Sequence, residues 1–183
     1  GRLILHGGWG RPDFYFFTNR STAIRDQTYS YDGEKVYAES QPGPFDIGLR
    51  RAGHAMIYDE LTGRLVMFGG QTYNQNFNPI PSRGEDCWNA PTSRYDFWDG
   101  EKWVPLPTSV NPIATLRYLH AAAYDPRQRE VVVFGGLYNY RFERNPNQTW
   151  YDCLYTSIND TWRIGFVDTW VDYATWLPDF LQT

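Results

Sequence analysis

The stretch Arg51-Ala-Gly-His54-Ala-Met-Ile-Tyr58-Asp59, followed by Arg64-Leu-Val-Met-Phe68-Gly69-Gly70, decides how this chain folds, because it occurs twice. Its second copy reads Arg117-Tyr-Leu-His120-Ala-Ala-Ala-Tyr124-Asp125, then Glu130-Val-Val-Val-Phe134-Gly135-Gly136, 66 residues on at every position. The same spacing carries Asp86-Cys87 onto Asp152-Cys153, and one residue more carries Trp103-Val104 onto Trp170-Val171. Self-similarity at a fixed period marks a chain built from stacked copies of one supersecondary unit. A partial copy opens the chain: Arg2-Leu-Ile-Leu-His6-Gly7-Gly8 matches the Gly-Gly strand, and Thr28-Tyr-Ser-Tyr31-Asp32-Gly33 matches Tyr95-Asp-Phe-Trp98-Asp99-Gly100. That copy lacks the Arg-x-x-His strand.

Each full copy reads as four short strands. The first runs through the His, and the second is β-branched and ends at Gly-Gly. The third carries Tyr or Trp before an Asp-Gly turn, and the fourth ends near a Trp. Asp32-Gly33 and Asp99-Gly100 suit type I′ hairpins, in which both central residues take positive φ. No stretch sustains a 3.6-residue period, so almost no helix is expected. The reading is all-β, with four-stranded antiparallel sheets: residues 1–49 a partial copy lacking its first strand, 50–112 a full copy, and 113–183 a full copy plus a C-terminal extension.

The pattern Arg-x-x-His-Ala, Tyr-Asp, Val-x-Phe-Gly-Gly, Asp-Thr-Trp resembles the kelch repeat, over nearly the whole chain. The resemblance implies blades of a kelch-type β-propeller. Propellers close with 4 to 8 blades, and about three are present here, so the ring is incomplete: either the sequence is a fragment, or further blades or other subunits complete it. Departures from the pattern fall in the first copy, where Gln27, Val36 and His6 replace Asp, Trp and an aromatic. The spelling Tyr-Asp-Gly-Glu-Lys is similar to that of secreted kelch proteins, which implies an extracellular or cell-surface location.

Composition narrows the partners. Lys and Arg number 17 against 21 Asp and Glu, a net charge of −4, with no basic block. Nucleic acid is therefore not expected, because phosphate binding needs clustered cations. No apolar run approaches the roughly 20 residues of a membrane span, and the N-terminal residues lack a signal peptide's pattern. At 183 residues the chain is long enough to bury a core without a metal or disulfide staple.

Length has been added at one place in the repeat. The kelch period is about 50 residues, whereas Gly8 and Gly70 stand 62 apart and Gly70 and Gly136 stand 66 apart. The excess lies between the second and third strands, at 9–26, 71–93 and 137–158, on the face that also carries the links between copies. These stretches read as long loops rich in aromatics, which supply large contact area at low entropic cost. Tyr73, Phe77, Trp88, Tyr138, Tyr140, Trp150 and Tyr151 are the candidate partner-binding residues, and packing onto the rim is the alternative role for any one of them.

Chemistry-bearing residues are few. His54 and His120 stand at equivalent places beside Arg51 and Arg117, and a group repeated from one full copy to the next reads as architectural: the His donating to a neighbouring strand or blade, the Arg pairing with a carboxylate or carbonyls. His6 reads as a core histidine. Asp32, Asp59, Asp99 and Asp125 read as turn formers. The three His show no zinc spacing, and the carboxylates Asp13, Glu85, Asp86, Glu143 and Asp152 have no fixed geometry, so no metal, cofactor or catalytic residue is assigned. A galactose-oxidase-like enzyme needs two His on the loop face, which this chain does not supply.

Two sequons in the extensions, Asn19-Arg-Ser and Asn147-Gln-Thr, are candidate glycosylation sites. Asn159-Asp-Thr coincides with a strand signature and is expected to be buried. Cys87 and Cys153 hold equivalent places, and a disulfide between them requires their Cα atoms about 4.4 to 6.8 Å apart. Two unpaired thiols, or pairing with cysteines elsewhere, are the alternatives. The function expected is a non-enzymatic interaction scaffold whose extended face binds a protein or glycan. The other readings are a propeller enzyme of the oxidase or mutarotase kind and a structural subunit of a large assembly.

Overall fold

Strands with apolar side chains at alternate positions make sheets with a face that must be covered, and the first question is how the copies meet that demand. The computed structural model describes residues 1–10, 23–39, 49–60, 62–73, 89–106, 116–144, 151–165 and 173–177. The first copy gives β1 (Leu3–His6), β2 (Trp9–Gly10), β3 (Ala23–Ile24), β4 (Thr28–Tyr31) and β5 (Val36–Ala38). The second gives β6 (Ala55–Asp59), β7 (Arg64–Phe68), β8 (Gln71–Tyr73), β9 (Asn89–Pro91), β10 (Tyr95–Trp98) and β11 (Trp103–Pro105). The third gives β12 (Ala121–Asp125), β13 (Glu130–Phe134), β14 (Leu137–Arg144), β15 (Tyr151–Ser157), β16 (Thr161–Gly165) and β17 (Tyr173–Leu177).

Three antiparallel sheets result, one of three strands (β1-β4-β5) and two of four (β6-β7-β10-β11 and β12-β13-β16-β17). The other six strands pair as two-stranded ladders, β2 with β3, β8 with β9 and β14 with β15. The stretches read from sequence as long loops therefore carry regular structure: each opens and closes on a ladder. No α-helix occurs among the described residues.

Register fixes which residues are equivalent. His6 faces Thr28, Phe68 faces Tyr95 and Phe134 faces Thr161. The fourth strand departs from expectation: Trp98 faces Trp103, whereas Ile164, its counterpart, faces Ala174. Ala174, not Trp170, is thus the equivalent of Trp103, and Trp170 and Val171 lie outside the described residues.

The hairpins also differ from the type I′ expectation. Gly33 and Gly100 have φ of 109° and 108°, but among the described residues the non-glycine ones with positive φ are Leu119 and Arg129, so Asp32 and Asp99 keep ordinary backbone. The reason lies in their carboxylates. Asp32 Oδ1 accepts from Glu34 N and Lys35 N, both at 2.9 Å, and Asp99 Oδ1 from Glu101 N at 2.9 Å and Lys102 N at 2.8 Å. A four-residue loop closed on its own Asp needs only one residue in the left-handed region. These bonds favour the charged form: those from Lys35 and Glu34 hold Asp32 down to about 2, and those from Glu101 and Lys102 lower Asp99.

The chain divides into two compact units. One comprises Gly1–Ala52, Gln71–Ala90 and Tyr140–Tyr155. In it, Gly8 N donates to Arg51 O at 2.8 Å and Arg51 N to Arg25 O at 3.2 Å, so the backbone after β1 is tied to the Arg that opens the next copy. The other comprises Gly53–Gly70, Pro91–Asn139 and Thr156–Thr183 and repeats the tie: Gly70 N donates to Arg117 O at 2.7 Å.

Within this second unit the two four-stranded sheets pack face to face. Ile57, Val66, Phe68 and Tyr95 from one meet Val131, Val133, Trp162 and Ile164 from the other in one buried cluster. Beside it, Tyr124 on β12 donates to Oδ1 of the buried Asp59 at the end of β6, at 2.5 Å. Thr62 Oγ1 donates to Oδ2 at 2.7 Å and the Arg129 guanidinium lies 3.7 Å away. A buried carboxylate is tolerated only when hydrogen-bonded and paired, and here Tyr124 and Arg129 supply part of that from the neighbouring copy.

Tyr124→Phe removes the donor and leaves the carboxylate buried, which should cost about 1–3 kcal/mol. Tyr58→Phe, at the equivalent but exposed position, should stay within about 0.5 kcal/mol. Urea unfolding of the two variants checks this, and equal losses would contradict the junction.

Candidate functional site

The repeated Arg and His come first, since they carry most of the chemistry in the sheets. Arg117 is fully buried; its guanidinium donates to Gly135 O at 3.0 Å and to both Asp160 oxygens, at 2.5 and 3.2 Å. Trp162 Nε1 donates to the same carboxylate at 2.8 Å. Burial alone pushes the Asp160 carboxyl up, but the bonds from Arg117 and Trp162 and the Arg117 charge outweigh it and leave the group below the usual carboxylate range. Arg51 is buried in the same way. Its copy carries Arg94 where the third has Asp160, and Arg94 pairs instead with the buried Asp96 at 2.7 Å. Arg117 is thus held as its repetition implies, by a carboxylate and a backbone carbonyl.

The expectation that each repeated His donates to a neighbouring strand fails at His120. Neither ring nitrogen has a hydrogen-bond partner among the described residues. The ring lies tilted against Phe68, centroids 5.4 Å apart. Burial, and then the Arg117 charge, push its pKa down to about 4. The side chain acts as a neutral aromatic plug between the two sheets. A Cβ on Gly136 would come within 2.8 Å of Tyr118 O and 3.0 Å of the His120 Cβ, so this glycine, at φ 100°, lets the chain pass.

His6 is a satisfied core histidine. Its Nε2 lies 2.8 Å from Leu49 O and its Nδ1 2.8 Å from Thr28 Oγ1. A carbonyl only accepts, so Nε2 carries the proton and Thr28 donates to Nδ1. The turn role holds for Asp32, Asp99 and Asp125; Asp59 adds the link to Tyr124. That link was discoverable: Tyr-Asp recurs as a pair, and a polar pair repeated on a strand implies a bond to a neighbour. Among the described residues no three His, Cys, Asp or Glu side chains gather as a metal site.

The remaining candidates sit in the extensions. Tyr73 lies on β8, Tyr138 and Tyr140 on β14, and Tyr151 and Cys153 on β15. Glu143 and Asp152 also fall on β14 and β15. Phe77, Trp88, Trp150, Cys87, Asn19, Asn147, Asp13, Glu85 and Asp86 lie outside the described residues. Contrary to the expectation of burial, Asn159 is exposed: it precedes the start of β16, and burial begins only at Trp162. No protein-family model matches this chain, and no curated protein matches it.

His120 generates a pH prediction. Its pKa is about 6.5 in an unfolded chain and about 4 in the fold. Above pH 6.5 neither state binds the proton; as pH falls towards 4 only the unfolded state does, so stability should drop across that window by about 3 kcal/mol. His120→Phe should keep the ring contact and remove that part of the loss. Urea unfolding at pH 7, 5.5 and 4.5 distinguishes the two, and identical pH dependence in both proteins would refute it.

Proposed function

We propose that this chain is a segment of a kelch-type β-propeller and serves as a non-enzymatic interaction scaffold, outside the cell or at its surface. Its partner is a protein or glycan held by the extensions between the second and third strands. One observation carries the reading: in all three sheets the connection from the Gly-Gly strand to the strand paired next to it is extended, and each extension begins as a ladder. Additions repeated at one place on a regular framework present a built surface, and loops on a rigid scaffold are where binding residues gather.

Two further points support it. The polar groups of the sheets are occupied in holding the fold: Arg117 with Asp160, Asp59 with Tyr124, His6 with Thr28 and Leu49. The extensions, by contrast, hold Tyr73, Phe77, Trp88, Tyr138, Tyr140, Trp150 and Tyr151 in adjacent copies of the repeat. Aromatic anchors of this kind dominate binding hot spots and stack on sugar rings.

The test is binding of the purified chain to an array of defined glycans and to cell-surface proteins. Trp88→Ala or Trp150→Ala should weaken the best partner by about 2 kcal/mol or more, roughly 30-fold, with little change in Tm. If both tryptophans control Tm and leave every binding signal intact, the aromatics pack the extensions down and the scaffold face lies elsewhere.

A further inference from the structure

The sequon Asn159-Asp160-Thr161 stands where the fold leaves an asparagine open to water. Each extension returns to its sheet through one backbone bond: Arg25 N donates to Gly8 O at 2.9 Å, Thr92 N to Gly70 O at 2.9 Å and Ile158 N to Gly136 O at 3.0 Å. The next residue in the three copies is Asp26, Ser93 and Asn159. It lies between the ladder and the sheet and belongs to neither. None of the three is buried: Asp26 and Ser93 are half-buried and Asn159 is exposed, with Thr156 and Ser157 exposed just before it. Asp26 and Ser93 are each followed in sequence by another copy and still reach solvent, so the position is open by its place in the repeat.

The residue after the acceptor holds the backbone in place. Asp160 O accepts from Gly135 N at 3.0 Å, and the Asp160 carboxylate accepts from the Arg117 guanidinium and from Trp162 Nε1. That set of bonds fixes the chain at the sequon and uses Asp160, Gly135, Arg117 and Trp162, not Asn159. Thr161, the hydroxyl residue that completes the sequon, opens β16 and is half-buried. Burial of the strand signature, the ground on which sequence excluded this site, therefore begins beyond the residue that would carry the sugar.

We infer that Asn159 is an acceptor of N-linked glycan, which stands at the root of the β14–β15 ladder. The inference rests on the extracellular reading proposed above. In the transfer, Asn159 Nδ2 attacks the anomeric carbon of a lipid-linked oligosaccharide diphosphate supplied by the secretory route. The carbon–nitrogen bond forms as the sugar–phosphate bond breaks, the lipid diphosphate leaves, and the amide proton passes to a base of the transferase. The fold's part is to accommodate the product, because a bulky solvated group is tolerated only at the surface. The equivalent residues Asp26 and Ser93 offer no amide, so at this place in the repeat the sugar marks the third copy alone.

The test is to produce the chain behind a cleavable secretion signal in cultured animal cells and collect it from the medium. Digestion with an amide-cleaving glycosidase in heavy-oxygen water turns each glycosylated Asn into a heavy Asp. Peptide mass spectra should show that label at residue 159 in the soluble, folded fraction. Asn159→Gln should be lighter by one glycan while keeping the circular dichroism spectrum and Tm of the parent, since its side chain faces water. Secreted protein with residue 159 unlabelled, or label confined to aggregated material, would overturn the inference. Label at Asn19 or Asn147 with none at Asn159 overturns it and leaves the extracellular reading intact. Protein found only inside its native cells overturns that reading instead, and a label at Asn159 in the secreted protein still establishes the acceptor.

Discussion

A β-sheet with an apolar face is not stable in water until something covers that face, and the fold of this chain is organised by that requirement. The second sheet offers Ile57, Val66 and Phe68, and the third answers with Val131, Val133 and Ile164. Full burial of one such side chain contributes roughly 1.5–3 kcal/mol, so the junction outweighs any single polar contact near it. The polar contacts do something else. The Tyr124–Asp59 bond fixes where along the strands the sheets meet, because a carboxylate buried at the end of β6 is tolerable only where the Tyr124 hydroxyl reaches it.

The glycine pairs solve a second problem, which is how a strand in one copy hands over to the next without a collision. After β7 the chain turns through two residues with φ of 65° and 89°, and Gly70 N then donates to Arg117 O. The same two-residue turn after β1 ties Gly8 to Arg51. Because the Arg supplies the accepting carbonyl, its side chain starts from a buried place and needs an anion within reach; in the third copy the half-buried Asp160 provides it. One sequence unit, Arg-x-x-His with Gly-Gly, thus couples the backbone link between copies to an ion pair within a copy.

Much of the sheet framework was legible in the sequence. The apolar, β-branched runs that end at Phe68-Gly69-Gly70 and at its copy mark the strands, and the matching of Thr28–Tyr31 with Tyr95–Trp98 is the register observed. What was not legible depended on neighbours or on local competition. Asp-Gly spelling suggested a two-residue turn, but Asp32 caps its own backbone and widens the loop. Trp170 looked like the counterpart of Trp103, yet pairing places Ala174 there, since a tryptophan in sequence does not fix register when the connection lengthens. Nothing in a repeat distinguishes Phe68 from Phe134 either; which one is covered is decided by the sheet beside it. The ladders in the extensions carry no alternation strong enough to read, and the candidate aromatics were found by composition alone.

The most direct test of this account compares those two phenylalanines in dilute protein, where each chain stands alone. Unfolding free energies should show Phe68→Ala losing about 3–5 kcal/mol, the cost of emptying a packed core position. Phe134→Ala, the same change at the equivalent place on an open face, should lose less than about 1 kcal/mol. Losses of equal size at the two positions would contradict the claim that packing between successive sheets, rather than the repeat itself, holds this fold together.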